Sequence, residues 1–334
     1  MISALIVSHG RREVCQAINS IFEQDLHPTQ FEIILVADTK IEELNKYENN
    51  PRILIKYSNR KDPGGKWAEA IRLARGQIVC FLDDDDMWVP EKLSYVLSKF
   101  QSDQKLGYYH NGHISIDQEG KPLEGFAELR HYYSIKKVHS YFLSPSRRGE
   151  IDIQTLFKFG APFNSSCISM RKEIVEPYLN LLSEGKWLVD YFWLFTYAVS
   201  AFSILIEEKP LTLYRRRTHQ DREDLRTMQK SIEIYRRYLN AHNVYSKIAL
   251  NSNILSYFNW VSAKAMLLLE IYGGEKFDKE EHPLLKVLTN MQTASSTGII
   301  STFVLAYAYL ISKISKGLSI FLLGSMEKLK LSII

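Results

Sequence analysis

Short apolar blocks alternate with amphipathic stretches through the first hundred residues of this chain. Ile2 to Val7 is almost wholly apolar and predicts a core strand, whereas Arg12 to Phe22 sets Val14, Ile18, Ile21 and Phe22 on one face of a helix. Phe31 to Ala37 and Arg52 to Tyr57 predict further strands, and Gly65 to Ala74 a helix with Ala70, Leu73 and Ala74 inward. Gln77-Ile-Val-Cys-Phe-Leu82 predicts another buried strand, and it runs straight into four carboxylates, Asp83 to Asp86. Pro90 marks the first position of the next helix, where a missing amide hydrogen costs nothing. Near-continuous apolar strands spaced by helices predict an α/β fold with a mostly parallel central sheet flanked by helices.

After residue 105 the rhythm breaks. Strands are expected at Leu106 to His110, His113 to Asp117, Cys167 to Met170, Ser203 to Glu207 and Leu211 to Arg215. Phe142 to Arg148 reads as an exposed loop, Arg171 to Leu182 as a helix despite Pro177, and Asp190 to Ser200 as a buried helix. From Asp224 the chain reads as a C-terminal helical extension. Its segments Asn251 to Tyr272 and Ile299 to Leu331 are apolar enough to pack on each other, meet lipid or form a homodimer. Lys313, Lys316, Lys328 and Lys330 favour a peripheral contact with an anionic membrane surface.

Composition narrows the classes. A chain of 334 residues, 46% hydrophobic and 24% charged, is a folded protein with room for one large core plus an appended region. A formal net charge of +4 gives no case for a nucleic-acid partner. Arg215, Arg216 and Arg217 cluster without the aromatics of a single-strand platform. Cys15, Cys80 and Cys167 show no ligand spacing, as expected of buried thiols in a reducing compartment. Met1 to Val7 reads better as a strand than as a signal core, and no window has the length and purity of a membrane span. The expected location is the cytoplasm, with the cytoplasmic membrane face open to the tail.

The aspartate run carries the first candidate chemistry. In open α/β sheets ligands bind at the carboxyl ends of the strands. Asp83 and Asp85 are one residue apart, so on a strand end both would point the same way and reach one Mg²⁺ or Mn²⁺ while Asp84 points elsewhere. A diphosphate would complete such a site. The bland alternative is a solvated loop in which Asp86 serves the helix near Pro90. Asp38 ends a second strand on the same edge, placed to accept from a base or ribose, or merely to cap. Asp62-Pro-Gly-Gly-Lys66-Trp67 puts amides and a cation at a helix start, suited to phosphate or to a plain turn. It is neither a Walker motif nor a dinucleotide fingerprint, which argues against an ATPase and a dehydrogenase.

Four stretches together resemble a family 2 glycosyltransferase of the GT-A fold over roughly residues 1–220. They are Ala4-Leu-Ile-Val-Ser-His9, Phe31-Glu-Ile-Ile-Leu-Val-Ala-Asp38, Gly64 to Gly76, and Phe81-Leu-Asp-Asp-Asp-Asp-Met-Trp-Val-Pro-Glu-Lys-Leu93. The resemblance implies a catalytic domain at 1–220, a helical region at 221–334, and inverting transfer from a nucleoside-diphosphate sugar, UDP favoured and GDP open. It implies that Asp38 holds uracil or ribose, that Asp83 and Asp84 contact ribose or sugar, and that Asp85 ligates the metal with Asp83. Ser8 and His9 fall where the nucleotide pocket begins, and Lys66 beside the phosphates. Asp190 falls on the catalytic carboxylate, although Val189 breaks the usual acidic pair. Arg215 to His219 resembles a segment that closes over the diphosphate; the signature of processive synthases is absent, so single transfer is expected.

The base role of Asp190 also has a physical argument. Trp187, Tyr191, Phe192 and Trp193 enclose it, raising its pKa, and Trp187 offers a stacking face to an acceptor sugar. A helix cap is the alternative. His110 with Asn111 and His113 lines the donor pocket, adds a metal ligand or simply packs; Ser165 and Ser166 are candidates for the acceptor, and Arg147 and Arg148 for a phosphate-covering loop. The acceptor is a saccharide or a lipid-linked glycan. The rivals are a sugar-phosphate nucleotidyltransferase, for which Ser8-His-Gly-Arg-Arg12 supplies too few glycines, and a non-catalytic binding protein.

Overall fold

The computed structural model describes residues 1–123, 140–143, 156, 159–216, 228–248, 252–273, 283–284, 288, 302, 305–310 and 312. Arg147, Arg148, His219 and the lysine-bearing tail lie outside the described residues. The chain divides into two compact units, Met1–Arg217 and Thr218–Ile334.

The first unit is built on nine strands: β1 Ile2–Ser8, β2 Phe31–Ala37, β3 Ile53–Tyr57, β4 Ile78–Asp83, β5 Met87–Trp88, β6 Leu106–Ile116, β7 Ser140–Leu143, β8 Ile168–Arg171 and β9 Ser203–Arg215. Their order is β3-β2-β1-β4-β8-β6-β9-β5, with β7 on β9. The β3-β2-β1-β4 half is parallel throughout, as the apolar strands between helices predict. Mixing enters with β8, antiparallel to both β4 and β6; β5 and β7 also run antiparallel to β9. Two pairs of expected strands are single ones. Leu106 to Ile116 continues through register shifts near Gly112, and Ser203 to Arg215 continues through Pro210, so neither interruption ends its strand. Phe142 and Leu143, expected in a loop, belong to β7.

Side chains of a strand alternate between faces, and β4 shows the result. Cys80 and Leu82 join a core formed by Ile2, Ala4 and Ile6 of β1, helix α1 (Val14–Phe22) and helix α3 (Lys92–Ser102). Phe81, on the opposite face, meets Trp67 of helix α2 (Pro63–Leu73) edge-on at 5.3 Å. The helix expected across Pro177 is instead interrupted: α4 (Lys172–Val175) gives way to a tight turn at Glu176–Tyr178, then α5 (Leu179–Gly185). Proline lacks the amide needed to continue the ladder. Helix α6 (Val189–Ala198) is buried along Phe192 to Ala198.

In the second unit α7 (Met228–Tyr245) packs on α8 (Ser252–Gly273), burying Tyr245, Ala263, Leu267 and Leu268. Trp260 Nε1 donates to Thr302 Oγ1 at 3.0 Å. Among the described residues no helix is long and apolar enough to cross a membrane.

Candidate active site

Parallel pairing puts the ends of β1, β2 and β4 side by side, with Val7 opposite Asp83 and Ser8 opposite Ala37. Asp83 is the last residue of β4, and Asp84 to Asp86 do not continue the strand. Asp86 N donates to Asp83 O at 3.2 Å, closing a turn, so the two-residue alternation invoked for Asp83 and Asp85 stops at Asp83. Each carboxylate therefore meets different neighbours. Asp84 is turned inward, accepting from Ser8 Oγ at 2.7 Å and His9 N at 3.2 Å; this corrects its expected contact with sugar. Ser8 is likewise buried, its hydroxyl fixing Asp84. Asp85 pairs with Arg11 Nη1 at 2.5 Å. Asp86 is buried rather than capping the next helix: it accepts from Asn164 Nδ2 at 2.8 Å, Ser166 Oγ at 2.6 Å and Arg215 N at 2.8 Å. Helix α3 starts at Lys92, with Glu91 in the capping position.

Burial raises Asp83 well above the carboxylate range, and the negative charges of Asp190, Asp86, Asp85 and Asp84 add to it. Asp86 is pushed up to about 7 by burial and by Asp85, against its three hydrogen bonds.

Asp38 sits one residue beyond β2 with its carboxylate 3% exposed. It accepts from Lys66 Nζ at 2.7 Å and lies 2.8 Å from His9 Nδ1. Burial alone would raise it; the bonds from Lys66 and Thr39, with the Lys66 charge, outweigh that and hold it low. Lys66 is wholly buried and also donates to Ser8 O at 2.8 Å, so it ties β1 to β2 instead of reaching an exposed phosphate. The preceding amides are also engaged. Gly65 N donates to Asp62 Oδ1 at 2.7 Å, capping α2, and Gly64 N donates to Lys186 O at 2.9 Å. A Cβ at Gly64 would lie 2.4 Å from Leu182 O, so glycine serves the close approach of α5. His9 keeps a side chain 43% exposed and remains able to meet a nucleotide.

Asp190 stands in the first turn of α6. Ser165 N donates to Asp190 Oδ1 at 3.0 Å, and Ser165 Oγ bonds the same oxygen. Burial raises Asp190 to about 6, opposed by these two bonds. Ser165 and Ser166 are fully buried, which corrects their assignment to the acceptor: Ser165 holds Asp190, while Ser166 Oγ accepts from Asp83 N at 3.0 Å and donates to Asp86. Trp187, three residues before Asp190, is half-buried. Among described non-glycine residues, positive φ occurs at Asn164 (54°), Lys186 (65°) and Leu188 (55°), on the two segments that meet at Asp190. Such conformations cost about 1–3 kcal/mol each and cluster where a site must be pre-shaped.

Two more expectations are corrected. His110 is buried with Nε2 2.8 Å from Phe163 O, and burial lowers it to about 4, so it packs a neutral ring in the sheet. Arg215 is buried, donating to Asp85 O at 2.7 Å, Asp117 O at 2.8 Å, Gln118 O at 2.5 Å and Gln16 Oε1. All its guanidinium nitrogens serve the fold, which leaves none for a diphosphate. Arg11 is the residue that sequence reasoning missed; four adjacent carboxylates call for a nearby cation, and the Gly10-Arg11 turn after β1 supplies it.

The profile of Glycosyl transferase family 2 matches residues 3–179. The putative teichuronic acid biosynthesis glycosyltransferase TuaG of Bacillus subtilis is 29% identical over 134 residues, 38% of this chain and 52% of that protein. The UDP-Glc:alpha-D-GlcNAc-diphosphoundecaprenol beta-1,3-glucosyltransferase WfaP of Escherichia coli is 26% identical over 122 residues, 35% and 48% respectively. The chain spans about half the length of these relatives, or less; for an uncharacterized Nostoc glycosyltransferase the share is 39%. The fold is similar to that of S. aureus TarS 1-349 in complex with UDP-GlcNAc, with a TM-score of 0.53 and 12% identity over 94% of this chain and 88% of that one. It is also similar to a Pyrobaculum calidifontis mannosyltransferase in complex with GDP-Man and Mn²⁺, at a TM-score of 0.50 and 13% identity over 95% and 86%. With the family profile spanning more than half of its residues, this chain belongs to glycosyl transferase family 2.

Proposed function

We propose that the protein transfers a sugar from a nucleoside-diphosphate sugar, UDP favoured, to an acceptor hydroxyl with inversion. The observation that carries this reading is that the adjacent Ser165 and Ser166 bind the Asp190 carboxylate and the Asp83 backbone N–H, which brings the end of β4 to the start of α6. Asp190 would take the proton of the attacking hydroxyl, and its raised pKa suits a base working near neutrality. His9 at the exposed end of β1 and Asp38 behind it would meet the nucleotide.

A divalent cation fits the residues present. Asp83 is a buried carboxylate crowded by like charge, Asp85 is a partly exposed one, and both offer the oxygen ligands that Mg²⁺ or Mn²⁺ prefers. No group of three acidic, histidine or cysteine residues among those described could hold an ion alone. Asp83 and Asp85 would therefore hold it together with diphosphate oxygens. Bound there, the ion would offset charge on the leaving diphosphate. The solved neighbours with UDP-GlcNAc or with GDP-Man and Mn²⁺ support the substrate class. The diphosphoundecaprenol acceptor named for WfaP supports a lipid-linked acceptor, met at the cytoplasmic membrane face by the second unit.

Asp190→Asn is expected to abolish nucleotide release from UDP- and GDP-sugars while leaving UDP binding, read by Mn²⁺-dependent thermal shift, within about twofold of wild type. Wild-type turnover in that variant would remove the base assignment. Failure to float with anionic liposomes would remove the membrane contact.

A further inference from the structure

We propose that Trp193 and Ser165 form a one-way hydrogen-bond chain that positions Asp190, holding one carboxylate oxygen and reserving the other for the acceptor hydroxyl. The inference rests on the reading of Asp190 as the base. Trp193 Nε1 donates to Ser165 Oγ at 3.1 Å. An indole N–H is a donor only, so the Ser165 hydroxyl must accept there and send its own hydrogen elsewhere. Its other partner is Asp190 Oδ1, which the Ser165 amide also reaches. Both bonds thus converge on Oδ1. Oδ2 receives none among the described residues, which leaves it to meet a substrate proton.

The same indole fixes the distance to the opposite carboxylate. Trp193 lies one helical turn after Asp190, and its ring stacks on Phe81 at 4.2 Å with planes 7° apart. Phe81 is two residues before Asp83 on β4. Trp67 closes the block edge-on, 6.2 Å from Trp193. One rigid side chain therefore orients Asp190 through Ser165 and abuts the strand that carries Asp83. Ser165 and Trp193 are positioning residues, since neither reaches a substrate atom.

The test is nucleotide release by the full chain from a panel of UDP- and GDP-sugars with Mn²⁺, comparing Ser165→Ala, Trp193→Phe and the double variant. Trp193→Phe keeps an aromatic stack and removes only the N–H. Ser165→Ala is expected to lower kcat roughly ten- to hundred-fold, the worth of one hydrogen bond to a charged group, with KM for the nucleotide sugar within about twofold. Trp193→Phe is expected to lower kcat several-fold. The double variant should be no slower than Ser165→Ala, because Trp193 acts only through Ser165. Wild-type kcat in Ser165→Ala, or a double variant slower by the product of the two, overturns the chain. The parent reading fails separately: no release by wild type from any sugar nucleotide, or full activity in Asp190→Asn, removes the base and this inference with it.

Discussion

Four aspartates in a row look equivalent on paper, yet each meets a different neighbour: the charge of Asp190 for Asp83, the β1 terminus for Asp84, a guanidinium for Asp85, and a buried amide, hydroxyl and backbone N–H for Asp86. Their presence at a strand end was legible in the sequence; their partners, contributed from as far away as Arg215, were not. Arg215 looked like an anion binder for the same reason, because a charge is visible in a sequence and its burial is not. Arg215→Ala takes the donor from the carbonyls of Asp85 and Gln118, whereas Asp117 O keeps the Gly120 N–H. At about 1–3 kcal/mol for a buried group left unpaired, a loss of roughly 1–3 kcal/mol in denaturant unfolding is expected. Asp190 gives a second expectation. A base must be ionised, and with a value of about 6 its ionised share grows as pH rises through 6, so kcat measured from pH 5 to 8 should climb and then level off.

The start of helix α2, suited in sequence to a phosphate or to a plain turn, is a joist. Its Gly64 admits α5, its lysine braces β1 to β2, and the Gly64 amide holds Lys186 in the strained connector that leads to Asp190. Gly64→Ala would press a methyl against Leu182 O at 2.4 Å. The expected cost is about 1–3 kcal/mol in denaturant unfolding, with a fall in kcat larger than any rise in KM for the nucleotide sugar. Glycine spacing revealed that something approaches closely; only the fold tells that it is a helix rather than a ligand. Boundaries failed where one residue was over-weighted. Pro210 did not end β9, whereas Pro177 did break a helix, because a strand near a sheet edge loses one ladder bond and a helix loses its continuity.

Across the molecule, two sets of buried groups respond to pH with opposite sign. Asp86 is raised to about 7 and Asp190 to about 6, so their favourable contribution is complete below the ordinary carboxylate range and is lost as pH climbs through these values. His110 and His113 are lowered to about 4 and His242 to about 3; theirs is present above the usual histidine value and is lost as pH falls. The two sets oppose each other between about pH 4 and 7. A divalent cation would compete with protons at the aspartates alone, so the rise in Tm on adding Mn²⁺ should be greater at pH 7.5 than at pH 5.

The parallel half of the sheet was readable from its apolar blocks, whereas the reversal at β8 was not, since a short strand does not announce its direction. That reversal makes β8 begin at the edge where β4 finishes, and so delivers Asn164 and Ser166 to Asp86, some eighty residues earlier in the chain, and Ser165 to Asp190. The register of β8 against β4 and β6 sets this meeting, and Trp88 Nε1 and Thr212 Oγ1 secure it by donating to Ser166 O. A one-residue slip of β8 along β4 would therefore carry Ser165 away from Asp190 and Ser166 away from Asp86 in a single movement.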